Sequence, residues 1–350
     1  MSQNIFLQAA DLLSRGERVV LARIISREGS APRTVGSKCI VTEDGSIIGT
    51  IGGGFLEHMV QERAKDVFKE GKSQLYHFQL TGDDLSKADM LCGGDLDVFL
   101  DPLFPENQHT LAIFQTIQGL VNSGQGGSLL TLISEGVPSQ DSKARMLIKK
   151  DGSTVGQIKG LTGSLENLIE QDKPCLVEFP ENNLKIFVES IELDPVLLLF
   201  GAGHVSTFVA AVAKMAGFQV IVIDDRAEYA SRERFPEADE IHVLPFSQAF
   251  DRLQVTETSY ITILTRGHIS DKIVLKAALQ TKPAYIGMIG SLKKRNLIYK
   301  ALKDEGIPEE HFDQVHSPIG IDIHAETPEE IAVSIVAELI KTRAKKNIEK

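Results

Sequence analysis

The sequence VLLLFGAGHVS, at residues 196–206, decides the fold of the second half of this 350-residue chain. Its first five residues are apolar and typical of a buried strand, and Gly201-Ala202-Gly203 follows them directly, before a run with helical spacing. A strand, a glycine-rich turn and a helix in this order predict a Rossmann-like unit. Gly201 permits the tight turn, and Gly203 lets backbone N–H groups approach a pyrophosphate at the helix N-terminus.

Two acidic residues lie where such a unit places its ribose contact. Asp224 ends the next predicted strand, about twenty residues beyond the glycines, where an acid typically bonds a ribose hydroxyl. Asp225 is its neighbour and is able to substitute for it. Ser206 stands where a third glycine or alanine is usual, and its small side chain preserves the packing of helix on strand. Two readings stay open: a dinucleotide-like pocket, or a doubly wound domain whose turn happens to be glycine-rich.

From Val196 onward, apolar strands alternate with amphipathic helices, which predicts a parallel sheet with helical crossovers. The last helix carries a capping signature, with Thr327 as N-cap, Pro328 at the first helical position and Glu330 at the third. Strands are expected at residues 196–200, 219–223, 240–244, 260–264 and 284–289. Helices are expected at residues 205–216, 247–253, 271–280, 292–305 and 328–343.

Further polar residues follow the carboxyl ends of predicted strands, the rim where open α/β sheets bind ligands. Arg266 and His268 come after the fourth strand, and Ser291 comes after the fifth. The run Lys293-Lys294-Arg295 then opens a helix, where it suits either a multiply phosphorylated ligand or a solvated helix face. His204 and His268 would be the acid or base residues if the chain is an enzyme.

The first half of the chain is rich in predicted strands. The turn Asp44-Gly45 lies between two apolar runs and predicts a hairpin, because glycine accepts the positive φ that a tight turn needs. Gly52-Gly53-Gly54 then leads from a strand into a helix expected at residues 55–69. These glycines can turn successive N–H groups toward one oxyanion, and Arg33 would supply a matching guanidinium. A simple tight turn is the alternative reading.

The chain has three cysteines, which lie far apart in the sequence. An odd number without a C-x-x-C pattern argues against a disulfide framework and a structural zinc site, and it fits a reducing cytoplasm. Cys92 precedes Gly93-Gly94, which leaves its thiol unshielded, so Cys92 is the candidate for a soft metal ligand or a sulfur contact. A packed thiol is the alternative. Cys39 and Cys175 are expected to be structural.

Length and charge bound the class of protein. A chain of 350 residues predicts two domains, and its 48 acidic against 37 basic residues give a net charge of −11. Such a balance argues against a nucleic-acid partner or an anionic membrane surface, because both need an excess of cations. The sequence also contains no run of eighteen apolar residues and no recognisable secretion signal, so neither a membrane span nor export is expected.

These patterns together predict an α/β protein with two domains. Residues 1–194 are expected to form a mixed α+β domain, and residues 195–343 a Rossmann-like domain with a doubly wound parallel sheet. Residues 344–350 are expected to be a frayed tail.

Several blocks of the sequence, taken together, resemble the XdhC/CoxI family, whose members are accessory proteins of molybdenum hydroxylases such as xanthine dehydrogenase. They cover about residues 14–103 and 195–340 in order, whereas the intervening stretch carries no recognised motif. The co-occurrence of so many blocks is specific, although a single one is not. The blocks are GSAPRTVGSKCIV, DGSIIGTIGGGFLE, LCGGDLDVFLDPL, LLLFGAGHVS, VIVIDDR, TRGH with a following Asp271, YIGMIGS and SPIGIDIHAETPEEIAVSIVAELI.

The resemblance implies a cytoplasmic carrier. Such a protein binds molybdenum cofactor, either molybdopterin or its dinucleotide form, and shields it from oxidation. A cysteine desulfurase helps to sulfurate the bound molybdenum, and the loaded cofactor passes to an apo molybdenum hydroxylase. The resemblance also implies an accessory protein rather than an enzyme, and we expect a homodimer.

The resemblance extends to particular residues of the first domain. Cys92 of the Cys-Gly-Gly block is the candidate nearest the molybdenum. Gly52–Gly54, Glu57 and Arg33 belong to the matching N-terminal block. Phe55 departs from the pattern, since several relatives have cysteine after the triple glycine, and this weakens a sulfur relay between two cysteines.

Two other functions remain open. An NAD(P)-dependent oxidoreductase would use the same glycine fingerprint, because NAD and a pterin dinucleotide share pyrophosphate and ribose groups. An assembly factor that only docks its partners would bind neither ligand. Tyr299 and Lys303 match the loose Tyr-x-x-x-Lys pattern of short-chain dehydrogenases, but a surface pair four residues apart on a helix is the expected reading.

Overall fold

The chain folds into two units, Met1–Leu193 and Asp194–Lys350. The computed structural model describes residues 4–29, 33–79, 94–161, 168, 173–191 and 193–349. Within this part of the chain, no helix is both long enough and apolar enough to cross a membrane.

The first unit contains two antiparallel sheets of five strands each. The first sheet has the order β3-β2-β1-β5-β4 and the second has the order β8-β7-β6-β10-β9. The strands of the first sheet are β1 Val19–Gly29, β2 Lys38–Thr42, β3 Ile47–Gly49, β4 Gln74–Gln79 and β5 Gly94–Leu103. Those of the second sheet are β6 Gly127–Leu132, β7 Ala144–Lys149, β8 Thr154–Ile158, β9 Cys175–Phe179 and β10 Leu184–Ser190.

Within the described residues of this unit, three long helices cover these sheets: α1 (Ile5–Ser14), α2 (Gly54–Glu70) and α3 (Gln108–Asn122). Alternate residues of a β-strand point to the same side of the sheet, and the residues on one side of the first sheet pack on α2. Helices α1 and α3 share a core with residues of both sheets, including Leu21 of β1 and Leu129 of β6. The expected hairpin is confirmed, since β2 and β3 pair in antiparallel fashion around the Asp44-Gly45 turn.

A charged cluster is buried between the two sheets. The Arg23 guanidinium on β1 lies 2.7 Å from an Asp101 carboxylate oxygen on β5 and 2.8 Å from a Glu189 oxygen on β10. Arg145 on β7 donates its Nε hydrogen to Asp101 across 3.1 Å, and the Lys38 ammonium lies 3.0 Å from the other Glu189 oxygen. Each carboxylate therefore faces two cations, which offsets the cost of taking these charges out of water.

The second unit is built on a parallel sheet of six strands with the order β13-β12-β11-β14-β15-β16. Numbered from β11, this order is 3-2-1-4-5-6, that of the dinucleotide-binding fold, so the order of strands reverses between β11 and β14. Ligands of such sheets bind in the crevice outside the strand ends at that point. The strands are β11 Val196–Phe200, β12 Gln219–Asp224, β13 Glu240–Val243, β14 Ser259–Ile263, β15 Tyr285–Met288 and β16 Val315–His316.

Helices cover both faces of this sheet. One face packs on α4 (His204–Met215) and α8 (Pro328–Glu349), and the other packs on α6 (His268–Ala278) and α7 (Leu292–Asp304). A short helix, α5 (Ala249–Arg252), follows β13. The predicted Rossmann-like α/β fold is confirmed.

Some element boundaries differ from the sequence prediction. The helix expected at residues 247–253 is a 3-10 turn followed by the four-residue α5. The last helix extends to Glu349, beyond the end expected at Arg343, so the predicted frayed tail begins as helix. Four strands were not expected: β4, β8, β9 and β16.

Candidate functional site

The glycine-rich turn after β11 brings the chain close to the end of β14. Gly201 has a φ of +101°, and a Cβ atom there would overlap the backbone carbonyl of Leu264. The Gly201 amide donates to the Ile223 carbonyl on the opposite side, across 2.8 Å. Only glycine fits this position, because both the positive φ and the close approach exclude a side chain. The turn thus lies at the point where the strand order reverses.

Two helices that follow adjacent strands begin at this crevice without a capping side chain. Gly203 is the N-cap of α4 and Gly267 is the N-cap of α6, and neither helix start has a side-chain cap hydrogen bond. A Cβ atom at either glycine would meet no atom within 4 Å, so the space beside both is open. These helices follow β11 and β14, which are adjacent strands. Their first N–H groups and helix dipoles therefore favour an anion at the crevice.

Four other long helices in the described part of the chain are capped by side chains. Asn4 caps α1 and Asn107 caps α3 through their side-chain oxygens. Ser291 caps α7 by accepting from the Lys294 amide across 3.3 Å, and Thr327 caps α8 by accepting from the Glu330 amide, also across 3.3 Å. Among the long helices of the second unit, the uncapped starts thus coincide with the place where the fold predicts a ligand. The predicted site residue Ser291 has a capping role here.

Asp224, the predicted ribose contact, is buried and fully occupied by its own chain. One carboxylate oxygen accepts from the Ala202 amide across 2.7 Å and from an Arg226 guanidinium nitrogen across 3.0 Å. The other accepts from the Arg226 amide at 3.0 Å and from its Nε at 2.9 Å. With 1% of the residue exposed, Asp224 holds the glycine-rich turn in place and leaves no free oxygen for a ribose.

The environment of Asp224 keeps it ionised. Burial alone would raise the pKa of this carboxyl, but the hydrogen bonds from Arg226 and from the Ala202 and Arg226 amides outweigh burial and lower it.

Asp225 and Arg266 meet at the outer side of the turn. The Asp225 carboxylate, which is 36% exposed, lies 3.7 Å from the guanidinium of Arg266, which is 60% exposed. This separation is a loose ion pair rather than a hydrogen bond, so both groups are able to turn toward a ligand. His204 and His268 are exposed at the first positions of α4 and α6. The structure thus places Arg266 beside Asp225, and His204 and His268 at the two uncapped helix starts.

A buried acid beside this crevice was missed as a site residue by the sequence prediction. Asp271 lies in the first turn of α6, is fully buried, and accepts from the Thr265 hydroxyl across 2.6 Å. Its other oxygen pairs with the Lys294 ammonium, and Lys294 also donates to the Ile289 carbonyl across 3.4 Å. Burial raises the pKa of Asp271 despite these bonds. The only signal in the sequence was the position of Asp271 three residues after the TRGH block.

The Lys293-Lys294-Arg295 run therefore does not act as one surface. Lys294 turns inward to Asp271, Arg295 donates to the Ser317 carbonyl across 3.1 Å, and Lys293 is exposed.

Lys303 pairs with Glu309 and the Tyr299 ring stacks on Phe312 at 4.4 Å, so the expected pair between Tyr299 and Lys303 is replaced by other contacts.

In the first unit, the triple glycine is bonded to its own helix. The Glu57 carboxylate accepts from the Gly53 amide at 3.0 Å, the Ile51 amide at 3.3 Å and the Thr50 hydroxyl at 2.6 Å, all through one oxygen. An anion at this turn would have to displace Glu57. Arg33 is exposed, and the hydrogen bond that the structure gives to it is at its carbonyl, which accepts from Arg27 across 3.4 Å.

The cysteines described by the structure are not exposed nucleophiles. Cys39 is fully buried, and its burial, helped by the negative charge of Glu57, raises the pKa of the thiol to about 12. Burial also raises the pKa of Cys175, which is partly exposed. Cys92 lies outside the described residues. Within the described ranges, no group of three His, Cys, Asp or Glu residues is placed to hold a metal ion.

The fold and site define a class: a Rossmann domain with a glycine-rich crevice where its strand order reverses, preceded by an antiparallel α+β unit. Residues 197–339 match the model of the XdhC Rossmann domain, and residues 12–79 match the XdhC and CoxI family. The chain belongs to the XdhC/CoxI family.

Several relatives are known. A Bacillus subtilis protein, named as a probable subunit of xanthine dehydrogenase, is 28% identical over 336 residues, which cover 95% of each chain. The Escherichia coli molybdenum cofactor insertion chaperone PaoD is 22% identical over 342 residues, 96% of this chain and 86% of PaoD. The uncharacterized Escherichia coli protein YqeB is 25% identical over 341 residues, 97% of this chain, which spans 46% of YqeB.

A solved structure has a similar fold. The crystal structure of a protein described as a xanthine dehydrogenase from Bacillus halodurans superposes with a TM-score of 0.78 at 25% sequence identity. The match covers 99% of this chain and 96% of the other chain. The similarity in fold therefore includes both units of this chain.

Proposed function

We propose that this protein binds molybdenum cofactor as its cargo and serves as an accessory protein of a molybdenum hydroxylase such as xanthine dehydrogenase. Membership of the XdhC/CoxI family supports this role, as do the names of two relatives, the insertion chaperone PaoD and the probable xanthine dehydrogenase component of Bacillus subtilis. The single observation that carries the proposal is the pair of uncapped helix N-termini at the point where the strand order of the second unit reverses.

The crevice fits the phosphate part of such a cargo. The free N–H groups of α4 and α6 face open space beside Gly203 and Gly267, and they favour a phosphate or diphosphate. Arg266, held only loosely by Asp225, supplies a mobile guanidinium for the same oxygens. Asp224 accepts a hydrogen bond from the loop after β11, and Asp271 accepts one from the loop after β14. These bonds hold the two loops in place, so the N–H donors are positioned before the ligand arrives.

The remaining parts of the proposal concern the metal end of the cargo. Cys92 would contact the molybdenum as a soft ligand, and Gly52–Gly54, Glu57 and Arg33 of the first unit would also be cofactor-binding residues. Sulfuration by a cysteine desulfurase, delivery to the apo-hydroxylase, a homodimeric state and a cytoplasmic location complete it.

An NAD(P)-dependent oxidoreductase is the second candidate. It is favoured by the same diphosphate-binding crevice and by the two imidazoles, His204 and His268, exposed at its mouth. Its cofactor would leave no pterin on the purified protein.

The substitution Gly203→Val tests the proposal. The new Cβ meets no atom of the protein, so folding is preserved, but the side chain fills the space from which a phosphate reaches the amides of α4. We expect the protein purified from a host that makes molybdenum cofactor to contain near-stoichiometric pterin, and the variant to retain at least about tenfold less. Pterin released by denaturation is measured by fluorescence after oxidation.

Gly119→Val is the matched control, because a Cβ at Gly119 also meets no atom within 4 Å and the residue lies in α3 of the first unit, whereas the crevice is formed by residues of the second unit. The control should keep its pterin. Equal pterin in wild type and the Gly203→Val variant would remove this crevice from the site. Bound NAD(H) without pterin would identify the oxidoreductase instead.

A further inference from the structure

Arg226, two residues after the end of β12, has a planar guanidinium group that the proposed phosphate site does not use. Arg226 folds back on Asp224 with two guanidinium nitrogens, Nε and one terminal nitrogen, in the side-by-side geometry typical of an arginine–carboxylate pair. Its guanidinium carbon lies 3.8 Å from the centre of the Tyr229 ring, so the group is stacked on that ring. The Arg226 side chain remains 17% exposed.

This stacked pair is fixed before any ligand binds. The amides of Tyr229 and Ala230 both donate to the Arg226 carbonyl, across 3.1 Å and 3.0 Å, and form a turn that sets the ring under the guanidinium. Tyr229 itself packs against the apolar core beneath α4 and α8. The plane of the cation is therefore held on one side by the ring and along one edge by the carboxylate.

Arg226 is linked to the glycine-rich turn, the proposed phosphate site, through Asp224. A single carboxylate, that of Asp224, is bonded both to the Ala202 amide in the turn and to the Arg226 guanidinium. In a nucleotide, one ribose separates the phosphate from the base. A nucleotide whose phosphate lies at the amides of α4 would thus direct its base toward β12 and its ribose past Asp225, the exposed carboxylate at this edge.

We propose that Arg226 and Tyr229 form a stacking platform for the nucleobase of a nucleoside diphosphate ester, so that the ligand class of this crevice includes a nucleotide. The proposal rests on the proposed function and deepens it, because it favours a dinucleotide form of the cargo over a bare pterin phosphate. A guanidinium plane stacks on any base, so the platform supplies affinity rather than a choice among bases. The Asp225 carboxylate accepts a hydrogen bond from a free ribose hydroxyl.

The test compares CDP, ADP and inorganic pyrophosphate as ligands of the full chain, by isothermal titration calorimetry. The wild-type protein should bind CDP and ADP at least about tenfold more tightly than pyrophosphate, since stacking of one base on such a platform is worth about that factor. Arg226→Lys keeps the positive charge but loses the planar group, and it should remove this advantage while pyrophosphate affinity stays within about twofold. Arg232→Lys, in the same segment but bonded to the Ala238 carbonyl, is the matched control and should behave as wild type.

A second variant keeps the test sharp if Arg226→Lys disturbs the turn through Asp224. Tyr229→Leu leaves the pair of Arg226 and Asp224 intact and removes only the ring under the guanidinium, so CDP and ADP should lose affinity and pyrophosphate should not. Equal affinities for CDP and pyrophosphate in the wild type, or unchanged CDP binding in Tyr229→Leu, would overturn the platform and leave the crevice standing. Failure of all three ligands to bind would instead count against the proposed phosphate site itself.

Discussion

At the scale of single residues, Asp224 shows how one buried carboxylate links the strand end to the glycine-rich turn. Its two oxygens accept four hydrogen bonds, and each donor is an amide or a guanidinium. The charge matters as much as the shape, because hydrogen bonds between ionised partners are about twice as strong as neutral ones.

We expect Asp224→Asn to lower the free energy of unfolding at pH 7 by about 1–3 kcal/mol, since Arg226 would lose its ionised partner in a largely buried place. The folded state lowers the pKa of Asp224, so its stabilising contribution is present above the pKa of the unfolded chain, about 4, and is lost as pH falls through the folded value. Urea melts from pH 3 to 7 measure this. The variant should lose less stability than wild type on acidification, and an identical acid profile would contradict the assignment.

Sequence spacing predicted the place of Asp224 but not its role. The distance from the glycine-rich turn indicates an acid at the end of β12, whereas the contact that occupies it comes from Arg226, only two residues further on. The spacing rules of the Rossmann fold predict which residues contact a ligand. They do not predict that a nearby side chain, here that of Arg226, occupies the acid instead. Similarly, the triple glycine was predicted to bind an oxyanion, whereas the structure shows the Glu57 carboxylate accepting from the Gly53 amide.

At the scale of elements, the buried charges of the first unit fix the pairing of its two sheets. Arg23 joins β1 to β10 through Glu189 and to β6 through the Thr131 hydroxyl, which lies 2.9 Å from the guanidinium. An apolar core tolerates sliding of one sheet over another more readily than a set of directed ion pairs does. The cluster thus specifies one arrangement of the sheets.

Replacing Arg23 with methionine should lower the free energy of unfolding by about 3–5 kcal/mol, because Asp101 and Glu189 would remain buried with too few cations. Chemical denaturation with far-ultraviolet circular dichroism measures the change. Arg15→Met is the control, since the pair of Arg15 and Asp11 is more than half exposed and contributes at most about 0.5 kcal/mol. A loss below about 1 kcal/mol for Arg23→Met would show that the buried carboxylates of Asp101 and Glu189 do not depend on Arg23.

Among the correctly predicted elements, the strands with continuous apolar runs were the easiest to recognise. Strands β11 and β12 are buried on both faces, so β11 is apolar throughout and β12 contains the unbroken apolar run 220–223. Strand β8 was missed because Gly156 interrupts it, and the structure shows why, since a Cβ there would overlap the Ile113 side chain of α3. Strand β16 has only two residues and no pattern to read.

At the scale of the whole molecule, the candidate crevice is built entirely from the second unit, although both units belong to the family fold. The division into two units near residue 194 is visible in the sequence as the change from antiparallel to alternating strand and helix patterns. The glycine-rich turn between an apolar strand and a helix, with an acidic residue about twenty residues further on, predicted the class of ligand site. They did not indicate Arg226 and Tyr229, whose contact depends on a turn with no apolar periodicity.

Hydrogen exchange over the whole chain distinguishes the two kinds of helix start. The first amides of α4 and α6, at residues 204–206 and 268–270, lack a side-chain cap and should exchange rapidly in the free protein. A bound nucleoside diphosphate should slow them at least about tenfold, because it accepts from those amides. The amides of His109 and Thr110, capped by Asn107, serve as the internal reference and should not change. Uniform slowing across both units would contradict a local site.

The glycine-rich turn of the first unit, which Glu57 closes, bears on how α2 forms. Helix α2 begins by bonding its preceding amide to its own fourth residue, Glu57, so no external anion is required to start it. The start of α2 is therefore complete without any bound ligand. If the proposed function is correct, this part of the first unit forms whether or not the cofactor is present.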